Sequence, residues 1–172
     1  KSEVARATIA KAFPGAIEAC EDALSGALMN AGPIIHPPLI LMNAGPIEHF
    51  DKWDIHNEGT QPSIRRTHSA LDAERIAVRE ALGYCAPHFP LDDHYNTSNW
   101  MYGNLAHDKL VGSGDWHEKL NLTTHRYMSE DIGVGLAFLV SAADWAGVKA
   151  PVATGLLAIA SAINGCDFRT DG

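Results

Sequence analysis

The chain has 172 residues, 46% of them hydrophobic and 20% charged, with a formal charge of −8. That length can bury a core without disulfides or metals, and the acidic balance argues against non-specific nucleic-acid binding, which needs a positive face. Cys20, Cys85 and Cys166 are scattered with no CxxC pair, which favours a reducing, cytoplasmic setting over a disulfide framework. In chain order, Ser2-Glu3 followed by Val4, Ile9 and Phe13 predicts an amphipathic helix ending near Pro14-Gly15. Ile17 to Asn30 predicts a second helix, weakened by Gly26. The stretch Pro33-Ile34-Ile35-His36-Pro37-Pro38 interrupts that pattern. Pro37 biases His36 toward extended backbone, so His36 is expected at the entrance of the next helix.

The words Leu28-Met29-Asn30-Ala31-Gly32-Pro33-Ile34 and Leu41-Met42-Asn43-Ala44-Gly45-Pro46-Ile47 are identical. Two copies make no solenoid; they predict two short helices, each ending at Gly-Pro. Residues 49–62 are polar and irregular. Ser63 to Gly83 carries Ile64, Leu71, Ile76, Val78 and Leu82 among charges and predicts a long helix with a glycine stop. Residues 84–120, rich in Pro, Asn, Gly and aromatic side chains, predict little regular structure. Ser129-Glu130-Asp131 places capping and acidic residues ahead of an apolar helix from Ile132 to Ala146, ended by Gly147. Pro151 restarts the chain into a last buried helix, Val152 to Ile163. Both apolar runs fall short of the roughly 20 residues a membrane span needs. No alternating strand pattern remains, so the predicted class is all-α.

Several chemistries are excluded or disfavoured. No Gly-x-Gly-x-x-Gly stands between a strand and a helix, since Gly133-Val134-Gly135 and Gly112-Ser113-Gly114 lack the strand before them. Nine histidines invite a metal reading, but His88/His94 and His117/His125 miss the i, i+4 spacing and no His-Glu-x-x-His occurs. Dispersed surface histidines are the expectation. Trp53, Trp100, Trp116 and Trp145 are read as packing residues, and the glycosylation patterns at Asn96 and Asn121 as chance.

Two segments stand apart: Ile34-Ile35-His36-Pro37-Pro38 with Leu41-Met42-Asn43-Ala44-Gly45, and His125-Arg126-Tyr127-Met128-Ser129-Glu130-Asp131 running into Ile132. With Leu71-Asp72-Ala73-Glu74-Arg75-Ile76-Ala77 and Asn164-Gly165-Cys166-Asp167-Phe168-Arg169, they resemble, in order, the helical domain of the octopine/nopaline (opine) dehydrogenase family. The resemblance implies a fold like the C-terminal helical domain of 6-phosphogluconate dehydrogenase, over residues 1–172 as one substrate domain. The Rossmann domain that binds NAD(H) or NADP(H) would then lie outside this chain. It implies reductive condensation of a 2-oxo acid such as pyruvate with the amino group of an amino acid, with an isolated helical fragment inactive alone and a homodimer allowed. By motif position His36 matches the acid–base histidine, Asp131 its partner carboxylate, and Arg126 a binder of substrate carboxylate. Asn43 falls in the helix facing the site.

Elementary chemistry suits these roles. Imine formation needs a group that exchanges protons near neutral pH, as histidine does. A carboxylate on the other ring nitrogen fixes the tautomer, and the helix dipole would favour an ionised Asp131. Arginine offers a permanently charged, bidentate fork for carboxylates. Glu130 and Asp131 are adjacent on a helix and do not face each other, which excludes a glycosidase-like pair. Two alternatives stand beside this reading: a 2-oxo or 3-oxo acid reductase using the same histidine, which needs no amine, and a non-catalytic helical binding or dimerisation module, in which His36 only caps a helix. Residues 49–62 and 88–120 are expected to shape the pocket.

Overall fold

A computed structural model describes residues 2–15, 17, 19–96, 105–113 and 119–171. Trp100, Trp116 and His117 therefore lie outside the described residues. Among the described residues every regular element is helical, as the unalternating sequence predicts. Helix α1, Ser2–Ala12, forms as expected but leaves Val4, Ile9 and Phe13 facing solvent. The second predicted helix shrinks to α2, Ala23–Ala27. Its start is set by the Asp22 carboxylate, which accepts the Ser25 amide at 2.8 Å. Beyond Gly26 the chain tightens, with Met29 N–H on the Gly26 carbonyl and Asn30 N–H on that of Ala27.

Helix α3, Gly32–Met42, departs furthest from expectation. His36 sits inside it, one turn from its start, and not at an entrance in extended backbone. The bias of the residue before proline is a local preference, and burial outweighs it. Ile34, Leu39 and Ile40 are almost wholly buried, each stabilising the packed helix by about 1.5–3 kcal/mol. Pro37 and Pro38 remove two N–H donors from the helix interior, which costs a few kcal/mol in isolation. The repeated Gly-Pro words also open helices instead of ending them: Gly32-Pro33 begins α3, and Gly45-Pro46 lies in the first turn of α4, Ala44–His49. Proline fits a first turn because its missing N–H has no partner there anyway.

Helix α5, Pro62–Ala81, follows prediction, and its inward stripe is Ile64, His68, Leu71, Arg75 and Val78. Between residues 84 and 120 two short helices appear, α6 (Asp92–Asn96) and α7 (Ala106–Ser113). The predicted helix from Ile132 starts earlier, as a π-helix over Tyr127–Leu136, and runs without a break into α8, Ala137–Ala146. Ala137 N–H bonds back to the Ile132 carbonyl, the five-residue reach of π geometry. Gly147 closes α8 with a left-handed backbone (φ 68°), and α9 is Pro151–Asn164.

The chain winds around α3, which packs most extensively on the π-helix and also on α5, α9 and α4. Two glycines permit the closest approach. A Cβ on Gly135 would stand 2.3 Å from Pro33 Cγ, and one on Gly32 would stand 2.2 Å from Asp131 Oδ1. The sequence word around Asp72 and Arg75 supplies internal mortar. Arg75 bonds Asp72 at 2.7 Å, the Leu28 carbonyl and the His88 carbonyl, tying α5 to both flanking loops. Glu74 accepts the Val152 and Ala153 amides at 2.8 Å each and so caps α9. Phe168, from the C-terminal word, lies against Gly133 of the π-helix. No described helix is long and apolar enough to cross a membrane.

Candidate active site

The α3–π-helix crossing carries the site. His36 projects from α3 and Asp131 from the π-helix, with Nδ1 and Oδ2 2.8 Å apart. Both side chains are largely buried, at 18% and 9% exposure, so water competes little for the bond. The carboxylate accepts, so Nδ1 carries the hydrogen. Two residues 95 positions apart in the sequence, paired there only by the family resemblance, are thus in contact in the fold.

The dyad borders a cavity of about 360 Å³, walled also by Asn30, Ile35, His56, His94, Leu110, Arg126 and Tyr127. Arg126 stands on this wall with its guanidinium largely in solvent, on Glu130 Oε2 at 3.2 Å. An exposed i, i+4 pair of this kind contributes only about 0.3–0.5 kcal/mol, so the fork is readily exchanged for another carboxylate. Glu130 and Asp131 do point apart, one to solvent and one to His36. Asn43 is placed elsewhere. It is buried, and its amide donates to the Leu39 and Gly59 carbonyls and accepts from Trp53 Nε1 at 2.9 Å. It does not line the cavity.

The expectation of surface histidines is overturned. His56, His68, His94 and His107 are buried, drawn in by partners the sequence does not announce. His68 Nε2 donates to the Ile35 carbonyl at 2.8 Å, and its Nδ1 takes the Tyr95 hydroxyl at 2.7 Å. Burial pushes its pKa down to about 4, and pushes His94 down to about 4 as well, with the charge of neighbouring His107 adding to the effect. His56 is pushed down to about 3, by burial first and then by the neighbouring His36. Burial likewise raises the Tyr127 phenol, and Asp131 nearby adds to the rise. On the wall, His56, His94 and Tyr127 are therefore uncharged at neutral pH, beside the charged Arg126. The sequence assigns no role to His56 or Tyr127: Tyr127 follows Arg126 directly, and His56 falls in the irregular segment 49–62.

A smaller apolar cavity of about 230 Å³, bordered by Pro33, Ile34, Val134 and Phe138, adjoins the first and shares Asn30. The one charged group on it, Arg75, is already engaged by Asp72 and two carbonyls. Among the described residues no group of histidine, cysteine and carboxylate side chains could hold a metal ion. Nor, among the described residues, does any strand turn through a glycine-rich loop into a helix, so they do not form that pyrophosphate-binding arrangement.

The described residues thus form a helical domain with a largely buried histidine–carboxylate pair on a cavity wall. Comparison with known proteins makes the class specific. The alpha-helical domain of NAD/NADP octopine/nopaline dehydrogenases matches residues 19–164. Opine dehydrogenase of Arthrobacter sp. is 29% identical over 161 residues, which is 90% of this chain and 43% of that protein. Vitopine synthase of Allorhizobium ampelinum is 28% identical over 148 residues, 81% of this chain and 39% of that protein. The chain belongs to the octopine/nopaline dehydrogenase family, as its alpha-helical domain. It spans about two-fifths of the length of these two relatives.

Proposed function

We propose that this domain performs the acid–base and substrate-binding part of an opine dehydrogenase reaction, joining a 2-oxo acid such as pyruvate to the amino group of an amino acid. The single observation behind it is the 2.8 Å His36–Asp131 pair on the cavity wall beside Arg126. The NAD(H) or NADP(H) cofactor belongs, in this reading, to a Rossmann domain elsewhere in the full-length polypeptide, and it supplies the reducing equivalent there. The residues of this chain handle what comes before.

His36 Nε2 takes a proton from the substrate ammonium group, and Asp131 holds the resulting imidazolium on its other nitrogen. The freed amine adds to the carbonyl carbon, and a proton passes from nitrogen to oxygen to give the carbinolamine. The imidazolium then returns its proton to the departing hydroxyl, which leaves as water, and the iminium ion remains. The histidine ends neutral, and protons balance. Arg126 exchanges Glu130 for a substrate carboxylate and sets the distance of the carbonyl from Nε2. Asn43, with its amide filled by three partners, supports the 54–60 turn and does not touch substrate.

The test is NAD(P)H oxidation by the full-length polypeptide, with pyruvate plus a pool of amino acids and with pyruvate alone. Oxidation that requires the amino acids, and that falls roughly 10²- to 10⁴-fold in His36→Ala, is the expected result. Oxidation with pyruvate alone would instead establish an oxo-acid reductase. Full activity in His36→Ala would reduce His36 to a structural residue.

A further inference from the structure

We propose that Tyr127 and His56 form a positioning pair that fixes the ring plane of His36, so that Nε2 is held toward the cavity. The proposal rests on the reading of His36 as the proton-transfer group. A single bond from Nδ1 to Asp131 fixes one direction in the imidazole plane but leaves the ring free to swivel about that bond. A second constraint must come from its face. The Tyr127 ring supplies it, stacked on the imidazole with centroids 3.6 Å apart and planes 9° from parallel.

Tyr127 is itself held at its far end. Its hydroxyl is 3.0 Å from His56 Nε2, and the His56 ring stands edge-on to both Tyr127 and His36. His56 in turn sits in a turn tied down on every side. The Asp54 carboxylate accepts the His56 and Asn57 amides at 3.0 Å each. Gly59 N–H closes back on the Asp54 carbonyl, and Asn43 grips the Gly59 carbonyl from the end of α3. A rigid strut therefore runs from the 54–60 turn through His56 and Tyr127 to the flat face of His36.

Simple packing would need none of this directionality: a leucine at position 127 could fill the space without facing the imidazole. The test uses the full-length polypeptide and four variants, Tyr127→Phe, Tyr127→Leu, His56→Gln and His56→Leu, plus the double variant Tyr127→Phe/His56→Leu. Amine-dependent oxidation is followed between about pH 6 and 9, beside the ring-nitrogen NMR signals of His36. Tyr127→Leu should lower kcat roughly 10- to 100-fold with little change in KM, displace the acid limb of the pH profile, and split the His36 signals between tautomers. Tyr127→Phe keeps the stack and loses the bond, so kcat falls about 3- to 10-fold. His56→Leu should match it, the double variant should be no worse than either, and His56→Gln should recover much of the loss. A folded Tyr127→Leu protein with unaltered kcat, pH profile and His36 signals would overturn the proposal, as would additive losses in the double variant. If the unaltered polypeptide proves inactive toward every oxo acid and amine, the enzymatic reading fails by itself, and the His36 signals in Tyr127→Leu and Tyr127→Phe still decide the positioning role.

Discussion

Gly32→Ala tests the α3–π-helix crossing without touching any group that exchanges protons. The added Cβ would stand 2.2 Å from Asp131 Oδ1 and 3.2 Å from its Cγ. Carbon atoms and their neighbours sit at ease near 3.5 Å, so the carboxylate must retreat by roughly 1 Å. Its bond to His36 is now 2.8 Å, and that retreat takes it beyond the range of about 3.2 Å in which an N–H···O bond is strong. A displacement of about 1 Å at a reacting geometry lowers a rate by about 10²-fold. Stability should move much less. Alanine is favoured over glycine in a helix by about 1 kcal/mol, which offsets part of a lost bond worth roughly 1.5–3 kcal/mol. The net loss of about 0.5–2 kcal/mol corresponds to a Tm lowered by roughly 1–8 °C for a domain of this size. Amine-dependent NAD(P)H oxidation and a thermal melt on the full-length polypeptide give both numbers. Gly45→Ala is the control, since its Cβ would meet nothing within 4 Å. A Gly32→Ala protein with the parental kcat would refute the reasoning, because the dyad would then tolerate a moved carboxylate.

The buried histidines predict acid sensitivity. His56, His68 and His94 protonate near 3, 4 and 4 in the fold but near 6.5 when unfolded, so the unfolded chain binds more protons below that value. Stability is therefore complete above about pH 6.5 and drains as pH falls toward 4, by up to about 3–5 kcal/mol between pH 7 and 5; denaturant titrations at the two pH values with equal midpoints would contradict it. Glu74→Ala strips the cap from α9 and leaves the Val152 and Ala153 amides without an acceptor. It should cost about 1–3 kcal/mol by denaturant titration, and a loss under about 0.5 kcal/mol would show the cap to be idle. Arg126→Lys should change stability by less than about 0.5 kcal/mol while raising KM for the carboxylate substrate roughly tenfold; an unchanged KM would remove Arg126 from substrate binding.

The sequence made some of this architecture readable and hid the rest for physical reasons. Helix α5 and the stop at Gly147 were plain because apolar spacing and a glycine cap act locally. The His36–Asp131 contact was reachable through the family's motif order, not through spacing, since the partners lie on different helices. His36 inside α3 was missed because tertiary burial overrode a dipeptide preference. The buried histidines were missed because a histidine's exposure depends on distant partners: the Ile35 carbonyl for His68, the Tyr127 hydroxyl for His56. Asn43 reads as a site residue because it follows His36 at the end of the same helix, yet its amide is engaged by the Gly59 turn and Trp53.

The π-helix makes the site depend on a count of residues as much as on their kinds. Each of its turns holds about one residue more than an α-turn. Deleting one residue between Arg126 and Ala137 without a change of winding would rotate Tyr127 and Arg126 by roughly 80° relative to α8. Asp131 would swing with them if the deletion fell after it. Such a protein could keep every apolar residue of its core and still lose the dyad. Among relatives, a one-residue gap in this stretch should therefore mark a changed chemistry even where histidine, arginine and aspartate are all still present.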